Sequence, residues 1–434
     1  MLARILRPAT LPLALVAILA VDDAHAARLN YQIELTGLHS DNINLSEDNE
    51  AKETVLIPRV RFDFSEEGSA VQIKARGDIE RRHYSDNQFD DETRSRFAGQ
   101  LNWSVLPNRM SIVLEDYLSE ESINFRDGRY PGNLQQVNIF LGGPSFYARF
   151  GDATRLQLDL RAADTHAEIS QGFDSNRYSA AAVLRHDLSP ISNAALHLTS
   201  TRVDFDDDLT AIDYTRHDAF GSYERRLRRT LYQLDLGGSR LDRRSASDIS
   251  HPLVRGVFQW DVNPESRFRV RARRQFADEV QDLIVRLSDP DETLTPDLVD
   301  ASSSLVTGGV YRQKDAEIDY RVNGERFGFR ARPRYRSLDY IESTSNDRTE
   351  RSVAFQLSYR LTPLTTLAFS GMERERNFET GQEDRDHVYS LGIEQQRTRH
   401  LGWRAAILKN DRDSNQPDPE YKENAFYLTI WWKR

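Results

Sequence analysis

The stretch Ser352-Val353-Ala354-Phe355-Gln356-Leu357-Ser358-Tyr359-Arg360-Leu361 decides the fold. Val353, Phe355, Leu357, Tyr359 and Leu361 take every second place, with small or polar residues between them. A period of two is a β-strand with two unlike faces. Roughly ten residues is also the length with which a tilted strand crosses a bilayer's hydrocarbon. The same rhythm extends from Leu29 to Trp432. Phe97, Leu101, Trp103 and Val105 make one apolar face, and Met110, Ile112 and Leu114 the next. Leu156, Leu158 and Leu160 follow, then Tyr232, Leu234 and Leu236, then Val254, Phe258 and Trp260. Asn102, Ser111, Glu115, Gln157, Asp159, Asp235 and Arg255 alternate with them.

The links between these segments fall into two classes. Short links marked by Pro or Gly include Glu66-Glu67-Gly68-Ser69, Leu106-Pro107-Asn108-Arg109, Ser189-Pro190-Ile191-Ser192, Asn263-Pro264-Glu265-Ser266 and Thr362-Pro363-Leu364. Long acidic links lie between them, among them Asp41 to Lys52, Ser119 to Pro131, Asp278 to Ser303 and Asp411 to Glu423. Short turns on one rim and long loops on the other are the asymmetry of bacterial outer-membrane barrels, with the short turns periplasmic. The pattern therefore predicts an all-β fold, a transmembrane antiparallel up-and-down β-barrel of roughly 20 strands, within bounds of roughly 16 to 22. The apolar phase changes near Gly142-Gly143-Pro144, which predicts a bulge or bend there.

Composition is compatible with this fold. The chain has 434 residues, 38% hydrophobic and 29% charged, an average that looks soluble. A large barrel gives the same average, because its lumen and loops are polar and only one strand face in two is apolar. After the N-terminus there is no run of eighteen apolar residues, which excludes helical membrane spans. Residues 1–26 read as an export signal. Arg4 and Arg7 supply the positive region, Leu11 to Val21 the apolar region, and Ala24-His25-Ala26 the cleavage site. The mature barrel is then 27–434, a single domain beginning near Ala27. The chain contains no cysteine, so neither disulfides nor a lipid-modified cysteine can form. A net charge of −10 argues against nucleic acid as a partner. The sequence carries no HExxH, phosphate-binding glycine loop, GxSxG elbow or paired-cysteine metal site, so no catalytic or metal residues, no cofactor and no enzymatic activity are expected.

Because an arginine on the lipid face near the midplane would cost ~2–4 kcal/mol, the phase of the charges identifies the inward face. Two segments carry inward arginine rows: Arg267, Arg269, Arg271 and Arg273, and Arg330, Arg332, Arg334 and Arg336. Such rows could form a track for an anionic or hydroxyl-rich solute, since each guanidinium presents several donors in a fixed fork. They could equally pair with inward acids such as Asp63, Asp78, Glu80, Asp235 and Asp319. Pro333 cannot donate to a ladder, so the second row should contain a local irregularity. The longest link, Asp278 to Ser303, holds Val280, Leu283, Ile284, Val285 and Leu287 among acids. It either folds into the pore as a constriction or short plug helix, or stands outside as a solvated external loop.

Phe426, Leu428, Ile430 and Trp432 alternate in the last segment, which resembles the C-terminal assembly signal of outer-membrane barrels. The chain departs from that pattern by ending in Lys433-Arg434. Near the start stands Leu35-Thr36-Gly37-Leu38-His39-Ser40-Asp41-Asn42-Ile43-Asn44-Leu45. Farther on come Asn133-Leu134-Gln135-Gln136-Val137-Asn138, then Gly143-Pro144, then Asp174-Ser175-Asn176-Arg177-Tyr178. In order and type these segments resemble the porin-like outer-membrane β-barrel family associated with exopolysaccharide and exosortase systems. The resemblance implies a role in secretion of an extracellular polysaccharide, and the family offers no catalytic residues to carry over.

The sequence thus leads to a monomeric barrel in the bacterial outer membrane that supports or conducts exopolysaccharide export. The expected partners are outer-membrane lipids and lipopolysaccharide, the barrel-assembly machinery, and the polymer with its export components. The first rival reading is a general or substrate-specific porin for small-solute uptake. The second is a closed structural or adhesive surface barrel.

Overall fold

The computed structural model describes residues 27–207, 211–244, 246–288, 306–416 and 420–434. The expected signal segment, 1–26, and residues 289–305 of the longest link lie outside the described residues. The first half of the chain forms β1 (Arg28–Ser40), β2 (Glu53–Glu67), β3 (Val71–Tyr84), β4 (Glu92–Leu106) and β5 (Met110–Ser122). β6 (Leu134–Phe150), β7 (Thr154–Ala167), β8 (Ser175–Ser189), β9 (Ser192–Phe205) and β10 (Tyr214–Arg226) follow. The second half forms β11 (Thr230–Arg243), β12 (Ala246–Asn263), β13 (Ser266–Asp278), β14 (Val310–Asn323) and β15 (Phe327–Tyr340). It closes with β16 (Arg348–Thr362), β17 (Thr365–Phe378), β18 (Glu383–Gln396), β19 (Leu401–Ser414) and β20 (Tyr421–Lys433).

These make one 20-stranded antiparallel sheet in which each strand pairs with its sequence neighbours. β1 pairs with β20 from Gln32↔Lys433 to Ser40↔Ala425, so the sheet closes on itself. Closure leaves no free edge, which is the condition for strands to cross hydrocarbon. The connections from even to odd strands are short and share a rim with the two ends of the barrel, where the Tyr31 amide donates to the Arg434 carbonyl at 3.1 Å. Two of these turns, 227–229 and 397–400, contain neither Pro nor Gly and were silent to turn chemistry. On the opposite rim most links are longer, the exceptions being 244–245 and 379–382.

Alternation sorts the side chains as expected. Leu158, Leu160, Leu196, Leu234, Leu236, Val353, Leu361, Leu428 and Ile430 are exposed on the outside, where lipid would cover them. The predicted bend also appears. Pairing of β6 with β7 skips from Gly142↔Ala162 to Ser145↔Asp159. A Cβ on Gly143 would stand 2.0 Å from the Leu160 carbonyl oxygen, so only glycine fits. Arg161 Nη1 donates to the freed carbonyl of Pro144 at 2.9 Å. Around Pro333 the β14–β15 ladder skips from Glu317↔Arg334 to Tyr320↔Ala331, the irregularity a missing N–H predicts.

At two places the wall parts near its long-loop rim. β4 and β5 pair no farther than Phe97↔Leu118, and β12 and β13 no farther than Val254↔Arg274. β5 and β13 nevertheless continue outward alongside β6 and β14. Each of these two strands delivers its following segment into the lumen, and bending inward separates it from the strand before. After β13 comes helix α1 (Glu279–Ser288). Its apolar residues recur at helical spacing, Val280, Leu283, Ile284 and Leu287, and face one side. They pack on Ala98, Tyr117, Val137, Ile139 and Ala167, inward residues of β4 to β7. A helix of 10 residues is marginal by itself. Burial of Val280, Leu283 and Leu287, at ~1.5–3 kcal/mol each, stabilises it in place. Leu283→Asp should therefore detach α1 from the wall without opening the barrel: limited proteolysis should gain a cut within 279–288, while the heat-dependent gel mobility typical of a folded barrel persists.

Candidate functional site

All eight arginines of the two rows face the lumen, opposite in phase to the outward Phe268, Val270, Phe329 and Tyr335. They do not stand as free rows. The strand between them, β14, places Asp315, Glu317 and Asp319 inward, the first two in register with both neighbours and Asp319 in register with Arg269 of β13. Arg273 and Arg334 flank Asp315 at 3.2 and 2.6 Å. Arg271 Nε donates to Glu317 at 3.1 Å, and Arg330 meets Asp319 at 2.7 Å. Arg267, near the short-turn rim, pairs with Asp261 at 2.8 Å. Arg269 and Arg332 also have partners. Arg336 reaches up to Asp282 of α1. Pairing runs to the adjacent strand, so the acids that matter most are Asp315 and Glu317, which the sequence reading did not single out.

Among the described residues, two elements cross the long-loop half of the lumen. One is α1. Tyr311 donates to its Asp282 at 2.7 Å, Tyr340 donates to its Glu279 at 2.5 Å, and Arg286 pairs with Glu121 of β5. Burial raises the Glu279 carboxyl above its ordinary range, opposed by Arg348, Arg336 and the Tyr340 hydrogen bond. The other element is the segment 123–130 after β5. Its Phe125 is buried among Ala277, Tyr311, Leu338, Tyr340 and Phe378 on the far wall. Arg376 donates to the Phe125 carbonyl at 2.8 Å and Arg412 to the Arg126 carbonyl at 2.6 Å. The two elements thus share a floor of tyrosines and together span from β4–β7 to β15–β19.

Beneath segment 123–130 lies a chamber of about 330 Å³, walled by β1–β5 and β17–β20. Eight arginines line it, namely Arg59, Arg61, Arg82, Arg96, Arg129, Arg374, Arg404 and Arg412. They face five carboxylates, Glu80, Glu120, Asp127, Asp386 and Glu423. The chamber is therefore cationic in a chain of net charge −10. Most of its arginines are committed: Arg96 holds Asp78 at 2.8 Å and Glu80 at 2.6 Å, and Arg82 holds Glu80 at 2.7 Å and Glu120 at 3.2 Å. Asp386 gathers Arg374 at 2.7 Å and Arg412 at 2.5 Å. Arg61 is different. It is half-exposed, 3.6 Å from Glu34, and its buried Nε has no acceptor. Arg404 is exposed and makes no ion pair within 4 Å among the described residues. Between the strands that carry them, the Thr36 and Thr429 hydroxyls touch at 2.9 Å. Two under-compensated guanidinium groups and a hydroxyl pair form a site that accepts carboxylate or phosphate oxygens. The sequence reading missed this wall, since its charges are spread over many strands and no single segment shows a row.

Phe426, Leu428, Ile430 and Trp432 point outward on β20, where Leu428, Ile430 and Trp432 stand opposite Gly37, Leu35 and Ile33 of β1. They lie at the seam that closes the barrel. Trp431 turns inward beneath the Lys433 ammonium, 4.7 Å from its ring centre.

No family model matches the chain, and no curated protein matches it. Among solved structures it is similar to the siderophore receptor PirA from Pseudomonas aeruginosa, with 10% identity and a TM-score of 0.44 over 94% of this chain and 80% of that one. It is also similar to Pseudomonas aeruginosa OccK2 (OpdF), with 11% identity and a TM-score of 0.39 over 94% and 97% of the two chains. A third similar structure is the ferric enterobactin receptor PfeA in complex with BCV-L6, at 8% identity and a TM-score of 0.48 over 95% and 82%.

Proposed function

We propose that this outer-membrane barrel is a substrate-selective porin for small anionic solutes. The observation that carries the reading is the cationic chamber of about 330 Å³ beneath two lumen-filling elements. That volume sits at the low end of small-molecule sites, ~300–1,000 Å³. A polymer in transit needs a continuous open bore, and α1 with segment 123–130 stands in its way. Small-solute passage therefore accounts for the lumen better than the exopolysaccharide export that the family resemblance implied. An entering anion meets Arg404 and the loosely paired Arg61 as its principal donors, with Thr36 and Thr429 between them. Weak binding at several such positions lets a solute enter and leave again. The paired rows on β13 and β15 then act as a charged wall along which an anion exchanges partners with Asp315, Glu317 and Asp319.

The test is ion selectivity in a planar bilayer under a salt gradient. Wild type should give a reversal potential of anion-selective sign. Arg61→Glu with Arg404→Glu should move it toward cation selectivity, and Arg267→Ser with Arg269→Ser and Arg271→Ser should move it less. A cation-selective wild type, or no shift in the Arg61/Arg404 variant, overturns the reading. A deletion strain that loses secreted polysaccharide while its uptake of small anions is normal would restore export.

A further inference from the structure

We infer that the outer face of β13 to β18 binds a phosphorylated, acylated lipid of the outer leaflet, with its phosphate on Arg274 and Lys314 and an acyl chain in the groove below them. The groove, of about 610 Å³, runs on the lipid side of the wall. Val270, Ala316, Ile318, Pro333, Tyr335 and Val353 contribute its apolar lining. Ala272 stands opposite Ala316, so two small side chains leave room beside the bulkier Val270 and Ile318.

The cations sit directly above this floor. Arg274 and Lys314 lie two residues beyond Ala272 and Ala316 on the same strands and face each other in register. Like charges directly opposite in a sheet repel. Arg312, two residues farther out on β14, stands opposite the carboxylate of Asp339 on β15. Asp339 approaches Lys314 at 4.0 Å. Among the described residues neither Arg274 nor Arg312 has an ion-pair partner within 4 Å. The other side of the groove is built differently. There Glu375 stands in register with both Arg351 and Arg385, so each arginine faces a carboxylate. The facing pair of like charges, Arg274 and Lys314, lies on β13 and β14, at the end of the groove nearer the long loops.

Its height suits a headgroup. Arg274 lies eight residues along β13 from Ser266 at the short-turn rim. At ~3.3 Å per residue and a tilt of ~40°, that is roughly 20 Å up a belt about 25 Å tall. An arginine there is at the outer boundary of the hydrocarbon, where phosphates of outer-leaflet glycolipids lie. A guanidinium with an ammonium in register offers several donors to one phosphate, and the apolar groove leads down from that point along the chain direction of the lipid. Free phosphate would use the cations but not the groove. A neutral lipid would use the groove but leave the cations repelling.

The test uses the full-length barrel in detergent, with retained lipid measured by native mass spectrometry. The probe is phosphorylated lipid A, compared with the same lipid after removal of its phosphates and with inorganic phosphate as competitor. Wild type should retain the phosphorylated lipid. Arg274→Ser with Lys314→Ser should retain it about tenfold less. Ala316→Trp, which fills the groove and leaves the cations in place, should also weaken retention. Both variants should keep wild-type conductance and heat-dependent gel mobility, which shows the barrel to be folded and its lumen unaltered. Equal retention of dephosphorylated lipid, full retention by the serine variant, or displacement by inorganic phosphate would each overturn the proposal. Because the readout is lipid retention, an error in the solute assigned to the lumen leaves it untouched.

Discussion

Replacing Glu279–Ser288 with a Gly-Ser linker of equal length is expected to raise single-channel conductance several-fold. α1 is anchored on both sides of the lumen: its apolar face packs on β4 to β7, and Asp282 accepts from Tyr311 of β14 and pairs with Arg336 of β15. An element fixed at both sides takes cross-section from the pore along its whole length, and conductance follows the cross-section left open. The linker has no side chains to bury and no acceptors for Tyr311, Gln313 or Arg336, so nothing holds it across the bore. Asp282→Ala should act in the same direction by a smaller amount, as brief openings above a normal baseline. It removes the acceptor while leaving Val280, Leu283 and Leu287 packed. Unchanged conductance in the linker variant would mean that ions bypass α1, and the occluded-lumen reading would fail.

The barrel was legible because lipid imposes its rule on every strand. Period-two alternation, the sorting of short and long links, and charge phase at positions such as Arg255 and Asp235 all report the same wall. The lumen was legible only where one segment carries the signal by itself. The apolar residues Val280, Leu283, Ile284 and Leu287 in a long acidic link marked α1 as a candidate for the lumen, and Arg267 to Arg273 announced their row. Segment 123–130 gave no such sign. A single phenylalanine among polar residues looks like a solvated loop, and its burial depends on Tyr311, Leu338 and Phe378, some 185 to 255 residues away in sequence. Ion pairing was hidden for a related reason. One strand shows which of its charges face inward, but pairing depends on register with the next strand, and register is set by turn lengths such as the 227–229 link that carries no turn residue. Hence of the acids expected to pair with the arginine rows Asp319 does so, with Arg330 one strand away, while Asp315 and Glu317 on the same strand were not singled out. The Arg61–Arg404 site is the extreme case, since β20 and β1, from opposite ends of the chain, separate its two halves.

The same register logic singles out Asp386, and Asp386→Asn is expected to cost about 3–5 kcal/mol of barrel stability. On the inner face, Asp386 of β18 stands opposite Arg374 of β17 and Arg412 of β19. Arg376 reaches it as well, at 3.6 Å, and its second carboxylate, Asp384, lies at 3.3 Å. All these groups are buried, with Arg376 and Asp384 fully so. Three guanidinium groups against two carboxylates are held together by the charge of each acid, and the amide of asparagine removes one of them without changing shape. What remains is three buried cations around Asp384. That is the costly case, in contrast to exposed pairs worth ~0–1 kcal/mol. The consequence reaches the chamber roof, because Arg376 and Arg412 also donate to the Phe125 and Arg126 carbonyls. Denaturant unfolding of the barrel in lipid vesicles, followed by tryptophan fluorescence, measures the loss, and the same variant should show noisier conductance as segment 123–130 loosens. Adding Arg412→Met supplies the decisive arm. It removes one unbalanced cation, so the double variant should be less destabilised than the two single changes summed, the signature of coupled charges. Additive losses, or a cost for Asp386→Asn below about 1 kcal/mol, would mean that water reaches the cluster and that these arginines belong to the open lumen.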